Sequence, residues 1–200
     1  TLTFTRSAWV GACAAAALLL ALRDFRLMAV LPVVAALFFF AAPASLTERF
    51  ASMFDMSDPT VRDRVAMVRA GERMVRAHPL VGVGPEMVER VYADYRPADA
   101  VEPVNPHLHN VPVQLAAERG LPALAAWLWF FAAATLGLIR IFRTGRHRAL
   151  SAAGLAAMAA MATAGLLEYN FGDSEFLMLL LLLITVPFAA VRTTGLPAQG

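Results

Sequence analysis

Apolar residues come in long unbroken blocks along this chain, each bounded by charge. Five are visible, at residues 8–22, 27–44, 121–139, 149–167 and 176–191. At 1.5 Å of helix rise per residue, crossing a hydrocarbon core of roughly 30 Å takes about 20 apolar residues. The middle three blocks reach that length and the outer two fall a turn short. Five such blocks in series predict an all-α, polytopic membrane protein with about five transmembrane helices. The chain then divides into residues 1–45 with two spans, a polar and largely helical loop at 46–120, and residues 121–200 with three spans and a short tail.

Composition agrees with that division, with 59% of residues hydrophobic and only 16% charged. The placement of arginines orients the spans. Arg23 and Arg26 share one short turn, Arg140, Arg143, Arg146 and Arg148 share another, and Arg192 follows the last block. The positive-inside rule puts these three segments in the cytoplasm and the 46–120 loop on the opposite face, together with Glu168, Asp173 and Glu175. That loop holds nine arginines against eleven carboxylates, which argues against nucleic acid as a partner. The net charge of +2 reflects topology instead. Thr1 then lies outside with an odd number of spans following, and Thr1–Ser7 has no basic region leading to a cleavage site. The expectation is a C-terminal fragment with further spans upstream. Cys13, alone in a span, suits packing.

The chemistry is concentrated in the loop. Asp58-Pro59 reads as a helix start, with Asp as N-cap and Pro in the first turn, and the helix runs to about Ala77 before Pro79. At 100° per residue, Arg62, Arg69, Arg73 and Arg76 share one side. They form either a solvated stripe or a contact for headgroups. Arg64 projects from the opposite, apolar face, where a charge needs a partner: an internal carboxylate or a bound phosphate. Gly82-Val83-Gly84-Pro85 opens a second, short helix. It serves either as a sharp turn or as an anion site built on exposed amides. Tyr92, Tyr95 and Arg96 end that helix, and the proline-rich stretch to Asn105 reads as irregular and mobile.

His107-Leu108-His109-Asn110 follows, with Asn110 as cap of a helix beginning at Val111-Pro112. Gly120 breaks this helix, and Pro122 begins the next span. His109, at the helix entrance, suits general-base work, since an unperturbed imidazole titrates at about pH 6.5. His78, His107 and His109 could together offer a metal three ligands. No loop cysteine or H-E-x-x-H spacing accompanies them, so no metal is assigned. The acidic turn at 168–175 reads as a solvated span end, or as a device that positions the arginines or the acceptor.

Taken in order, these residues resemble the O-antigen ligase/polymerase superfamily of bacterial envelope membrane proteins. The resemblance rests on Arg64, on His78-Pro79-Leu80-Val81-Gly82-Val83-Gly84 beginning fourteen residues later, and on His109-Asn110 followed by nine residues and Gly120. Ala123 and Val68 depart from the pattern, where Gly and an aromatic residue are common. It implies a GT-C-like, metal-independent and cofactor-free glycosyltransferase in the inner membrane with its loop in the periplasm. Its donor would be a glycan on undecaprenyl pyrophosphate, and its acceptor lipid A-core or a growing glycan. His109 would then be the base and Arg64 the cation facing the pyrophosphate. Arg69, Arg73 or Arg96 would be a second cation, and Gly82, Gly84 and Asn110 further substrate contacts. The competing class is a transporter or channel for an anionic glycolipid. That class predicts ionisable residues within spans, and these blocks carry almost none.

Overall fold

The computed structural model describes residues 6–41 and 59–195, and every regular element among them is helical. The elements are α1 (Arg6–Arg23), a 3-10 turn (Phe25–Ala29), α2 (Val30–Ala41), α3 (Pro59–Ala77), α4 (Val88–Tyr95), α5 (Val111–Arg143), α6 (Arg148–Ala164), a 3-10 turn (Asn170–Gly172) and α7 (Ser174–Gly195). The described part of each apolar block is therefore mainly helical. Among the described residues, however, only Val111–Arg143 and Ser174–Thr193 are long and apolar enough to cross a membrane. The remaining apolar helices are shorter, and the second block opens as the 3-10 turn, so helix length does not carry the count of five spans. Asp58, expected to cap α3, lies outside the described residues.

The chain forms two compact units. The first comprises residues 1–31, 128–164 and 170–200. In it α1 packs on α6, with Gly11 set against the Ala160 carbonyl and the Ala164 methyl. The Arg148 guanidinium donates to the Leu22 carbonyl (3.4 Å), so the arginine turns that follow α1 and precede α6 meet at one end of this unit. Small residues at crossings allow this approach: Gly154 abuts Leu138, and Gly137 abuts Phe188. Cys13, expected to pack inside, is exposed on α1.

The second unit comprises residues 32–127 and 165–169 and contains the polar loop. Its core is Met67, Ala70, Met74, Val88, Tyr92, Leu108 and Ala117. α3 runs beside the first part of α5, with Gly71 against Val113 and the Pro79 carbonyl accepting from the Leu121 amide (2.8 Å). The offset between the two elements is the same at both points, so they run parallel and in register.

α5 is two helical segments joined at Gly120, whose φ of 80° and ψ of 171° are not helical. Breaking a helix leaves carbonyls and amides without partners. Here each finds one outside the helix. The Leu121 amide, which would bond the Ala117 carbonyl, goes to Pro79. The Val83 amide replaces it on Ala117 (2.8 Å). Pro122 has no amide for the Glu118 carbonyl, and Gly84 supplies one (3.0 Å). The two glycine-bearing motifs are thus one joint.

Candidate active site

The joint explains its glycines. A Cβ on Gly82 would lie 2.3 Å from the Glu118 carbonyl carbon, and one on Gly120 would lie 2.2 Å from the Leu80 oxygen. It also bears on the anion-site expectation. The Gly82 amide donates to His78 and the Gly84 amide to Glu118, so neither is open to a phosphate. The short helix begins only at Val88, past Pro85, with Met87 at its cap position.

The arginine stripe of α3 also has structural work. Arg69 pairs with Asp99 (3.3 Å), and Arg73 donates to the Tyr95 and Arg96 carbonyls. On the same helix the Asp63 carboxylate accepts from the Glu102 amide (3.1 Å) and the Asn105 side chain (3.4 Å). The irregular 96–106 stretch is therefore tied along α3. Arg69 and Arg73, expected as pyrophosphate ligands, hold backbone and carboxylate instead. The Arg96 side chain is exposed and makes no bond to a described residue.

Arg64 differs. It is half-buried and makes no hydrogen bond or ion pair with any described residue. It lies two helical turns before Gly71 on the same face, the face directed at Leu108 and Val113. The α3–α5 register places it beyond the N-terminus of α5, level with residues 105–109. The Asp63 bonds to Glu102 and Asn105 mark the same level.

That end of α5 carries the densest chemistry. Asn110 caps the helix as expected, its Oδ1 accepting from the Val113 amide (3.0 Å), and its Nδ2 donates to the Leu166 carbonyl (3.0 Å). Both ends of its amide are engaged in holding the fold. The Val111 amide donates to the Gly165 carbonyl (2.7 Å). Together these bonds draw the 165–169 segment against His107 and His109.

Glu168 Oε1 lies 2.6 Å from His109 Nδ1 and 3.5 Å from His107 Nε2. The His109 contact is an ion-pair distance that lies off the line of a hydrogen bond. The imidazole rings are 4.4 Å apart, and the Tyr169 ring lies 6.1 Å from that of His107. Burial of Glu168 favours its neutral form. The contacts with His107 and His109, and the Tyr169 amide, outweigh that and hold the carboxyl well below the usual carboxylate range. Burial pushes the Tyr169 hydroxyl up, the Glu118 carboxylate adds to this, and Arg119 opposes it. His109 Nε2 makes no bond to a described residue. Its backbone is left-handed (φ 47°), which side-chain-bearing residues seldom adopt.

His107, His109 and Glu168 are also the described residues whose donor atoms converge as a metal would require, within 4.8 Å of one another. Two ligands on a tetrahedral zinc with bonds of about 2.0–2.1 Å stand about 3.3 Å apart. The 2.6 Å between His109 and Glu168 is too short to take an ion unless one of them moves. His78, the other histidine considered, bonds the Tyr95 hydroxyl (3.1 Å) instead.

Glu168 was read as part of a solvated span end, or as a device that positions arginines or the acceptor; it faces histidines. Gln114, Glu118 and Arg119, behind His109, were not anticipated. The signal for Gln114 and Glu118 was legible: with the cap Asn110 they recur every fourth residue ahead of Arg119, in a stretch whose other residues are apolar or Gly.

The family model described as O-antigen ligase matches residues 1–128, more than half of the chain. A comparison with curated proteins gave no significant match.

Proposed function

Because the chain belongs to the O-antigen ligase family, we propose that its second unit transfers a glycan from undecaprenyl pyrophosphate to an acceptor hydroxyl at the periplasmic face of the inner membrane. Membership and the two long apolar helices support a membrane protein that transfers glycans. The observation that carries the finer reading is the contact between His109 Nδ1 and Glu168. A carboxylate 2.6 Å from one ring nitrogen favours the proton on that nitrogen by its charge, and Nε2 is then the acceptor. This is the arrangement a general base needs.

In the proposed step the acceptor hydroxyl gives its proton to His109 Nε2 as its oxygen attacks the anomeric carbon. The bond from that carbon to the pyrophosphate oxygen breaks, and its electron pair leaves with undecaprenyl pyrophosphate. The configuration at carbon inverts. Glu168 stabilises the imidazolium. Arg64, half-buried and without a partner among the described residues, meets the charge growing on the leaving group as a two-pronged donor, and Arg96 is the second candidate. No metal takes part. A pyrophosphate leaves readily without a general acid.

The test is replacement of His109 or Arg64 by Ala in the native bacterium, with surface glycan resolved on a gel. Loss of the base should slow transfer about 100- to 10,000-fold, and loss of the cation about 100- to 1,000-fold. Loss of all glycan from lipid A-core marks a ligase, whereas survival of single-repeat attachment marks a polymerase. Unchanged glycan in both variants overturns the proposal.

A further inference from the structure

Behind His109 lies a chain of buried polar groups that the reaction itself does not use. Gln114 and Glu118 are 1% and 3% exposed, although an apolar pair would fill the same space at lower cost in desolvation. Glu118 accepts from the Glu86 amide (3.1 Å), from Gln114 Nε2 (2.8 Å) and from the Arg119 guanidinium (3.0 Å). Gln114 Oε1 in turn accepts from the Leu108 amide (2.7 Å). An ionised carboxylate only accepts, so the Gln114 amino group must face Glu118 and its carbonyl oxygen must face Leu108. The orientation of the Gln114 amide is therefore set by chemistry.

Leu108 immediately precedes the left-handed His109, and its own side chain is wholly buried. On the other side of His109, the Val111 amide is fixed on Gly165. The strained residue thus sits between two anchored amides, one of them held by Gln114. We propose that Gln114, oriented by Glu118, is a positioning residue that holds the His109 backbone in its left-handed conformation and so keeps the imidazole against Glu168. The proposal rests on His109 being the base, as read above. Without the Gln114 oxygen the Leu108 amide is buried and unpaired. The backbone then relaxes toward ordinary φ, and Nε2 swings off the acceptor.

The test is Gln114→Met, of equal length and apolar, beside Gln114→Asn, which stays polar but is too short to reach both partners. Each is purified as the full chain in detergent and assayed with lipid-linked glycan donor. Displacing a catalytic group by about an ångström can cost about 100-fold. The expected result is a fall in kcat of about 10- to 100-fold with KM for the donor little changed. Faster hydrogen exchange should accompany it in peptides covering Leu108 and His109, but not in α3. In a His109→Ala background Gln114→Met should add no further loss, because Gln114 acts through His109. Wild-type kcat in Gln114→Asn beside an inactive His109→Ala overturns this proposal alone. Full activity in His109→Ala overturns the reading beneath it.

Discussion

Gly120→Ala should rank, with Gly82→Ala, among the most damaging methyl groups that could be added to the polar unit. Gly120 has φ 80° and ψ 171°, a region that side-chain-bearing residues enter at a cost of about 1–3 kcal/mol. The new Cβ would also lie 2.2 Å from the Leu80 oxygen, 2.4 Å from its carbonyl carbon and 2.8 Å from the Val81 nitrogen. All three atoms are backbone, so no rotamer relieves the clash. The 79–84 strip must back away by about an ångström. Doing so strains three hydrogen bonds, Leu121 to Pro79, Val83 to Ala117 and Gly84 to Glu118, each worth about 0.5–1.5 kcal/mol net. Strain and lost bonds together come to about 2.5–7.5 kcal/mol. That is a large part of the roughly 5–15 kcal/mol that holds an ordinary domain together. Gly145→Ala is the control, since Gly145 has a similar φ of 78° but nothing within 4 Å of the added carbon. In detergent the Gly120 variant should melt more than about 10 °C below wild type, and the Gly145 variant only a few degrees below. Equal shifts in the two variants would show that the two motifs are not joined at Gly120.

Other expectations follow from the same contacts. Glu168→Gln removes the charge facing His109 and should lower kcat about 10- to 100-fold, inside the range a general base supplies, with donor KM nearly constant; a change confined to KM would place Glu168 in substrate binding. Because the Glu168 carboxyl is held below its ordinary range, its stabilising contribution is present above about pH 4.3 and is lost as the pH falls below that value. Thermal melts of wild type and Glu168→Gln should therefore differ at neutral pH and converge in acid, and a gap that widens in acid would reverse the sign. Asp63→Ala leaves the Glu102 amide without its partner and should cost about 1–3 kcal/mol, read as faster hydrogen exchange across residues 99–106. Arg69→Ala breaks a pair exposed on both sides, worth at most about 1 kcal/mol, and should leave kcat within about threefold of wild type; a 100-fold loss would return Arg69 to the pyrophosphate.

What the sequence made legible were the features that depend on near neighbours. The α3 boundaries follow from Pro59 and Pro79, the Asn110 cap from its place before Val111-Pro112, and the α5 break from Gly120 ahead of Pro122. The odd placement of Arg64 on an apolar face was legible from helical periodicity alone. What stayed hidden were partners distant in sequence. Gly82 and Gly84 looked like free amides because nothing local reveals that residues 117 and 118 lack helical partners of their own. Arg69 and Arg73 looked like anion ligands because the stretch they tie down has no periodicity to place it. Glu168 stands fifty-nine residues after His109, beyond another apolar helix, so its facing histidines could not be read from spacing.

The construction of the joint bears on why the base can be strained at all. A left-handed histidine on a mobile loop would relax, since nothing would oppose the gain from ordinary φ. Here the residue lies where three separate stretches close on one another: the 79–86 strip through Glu118, the 165–166 carbonyls through Asn110 and Val111, and the α3 face through Leu108. Apart from the Asn110 side-chain bond, each contact is a backbone bond or a buried side chain, and such contacts shift only if the unit opens. The strain at His109 is thus held by the folding energy of the whole polar unit, and not by the exposed ion pairs along α3. Mutations at the joint should therefore lower activity and stability together, whereas those along the arginine stripe should change neither by much.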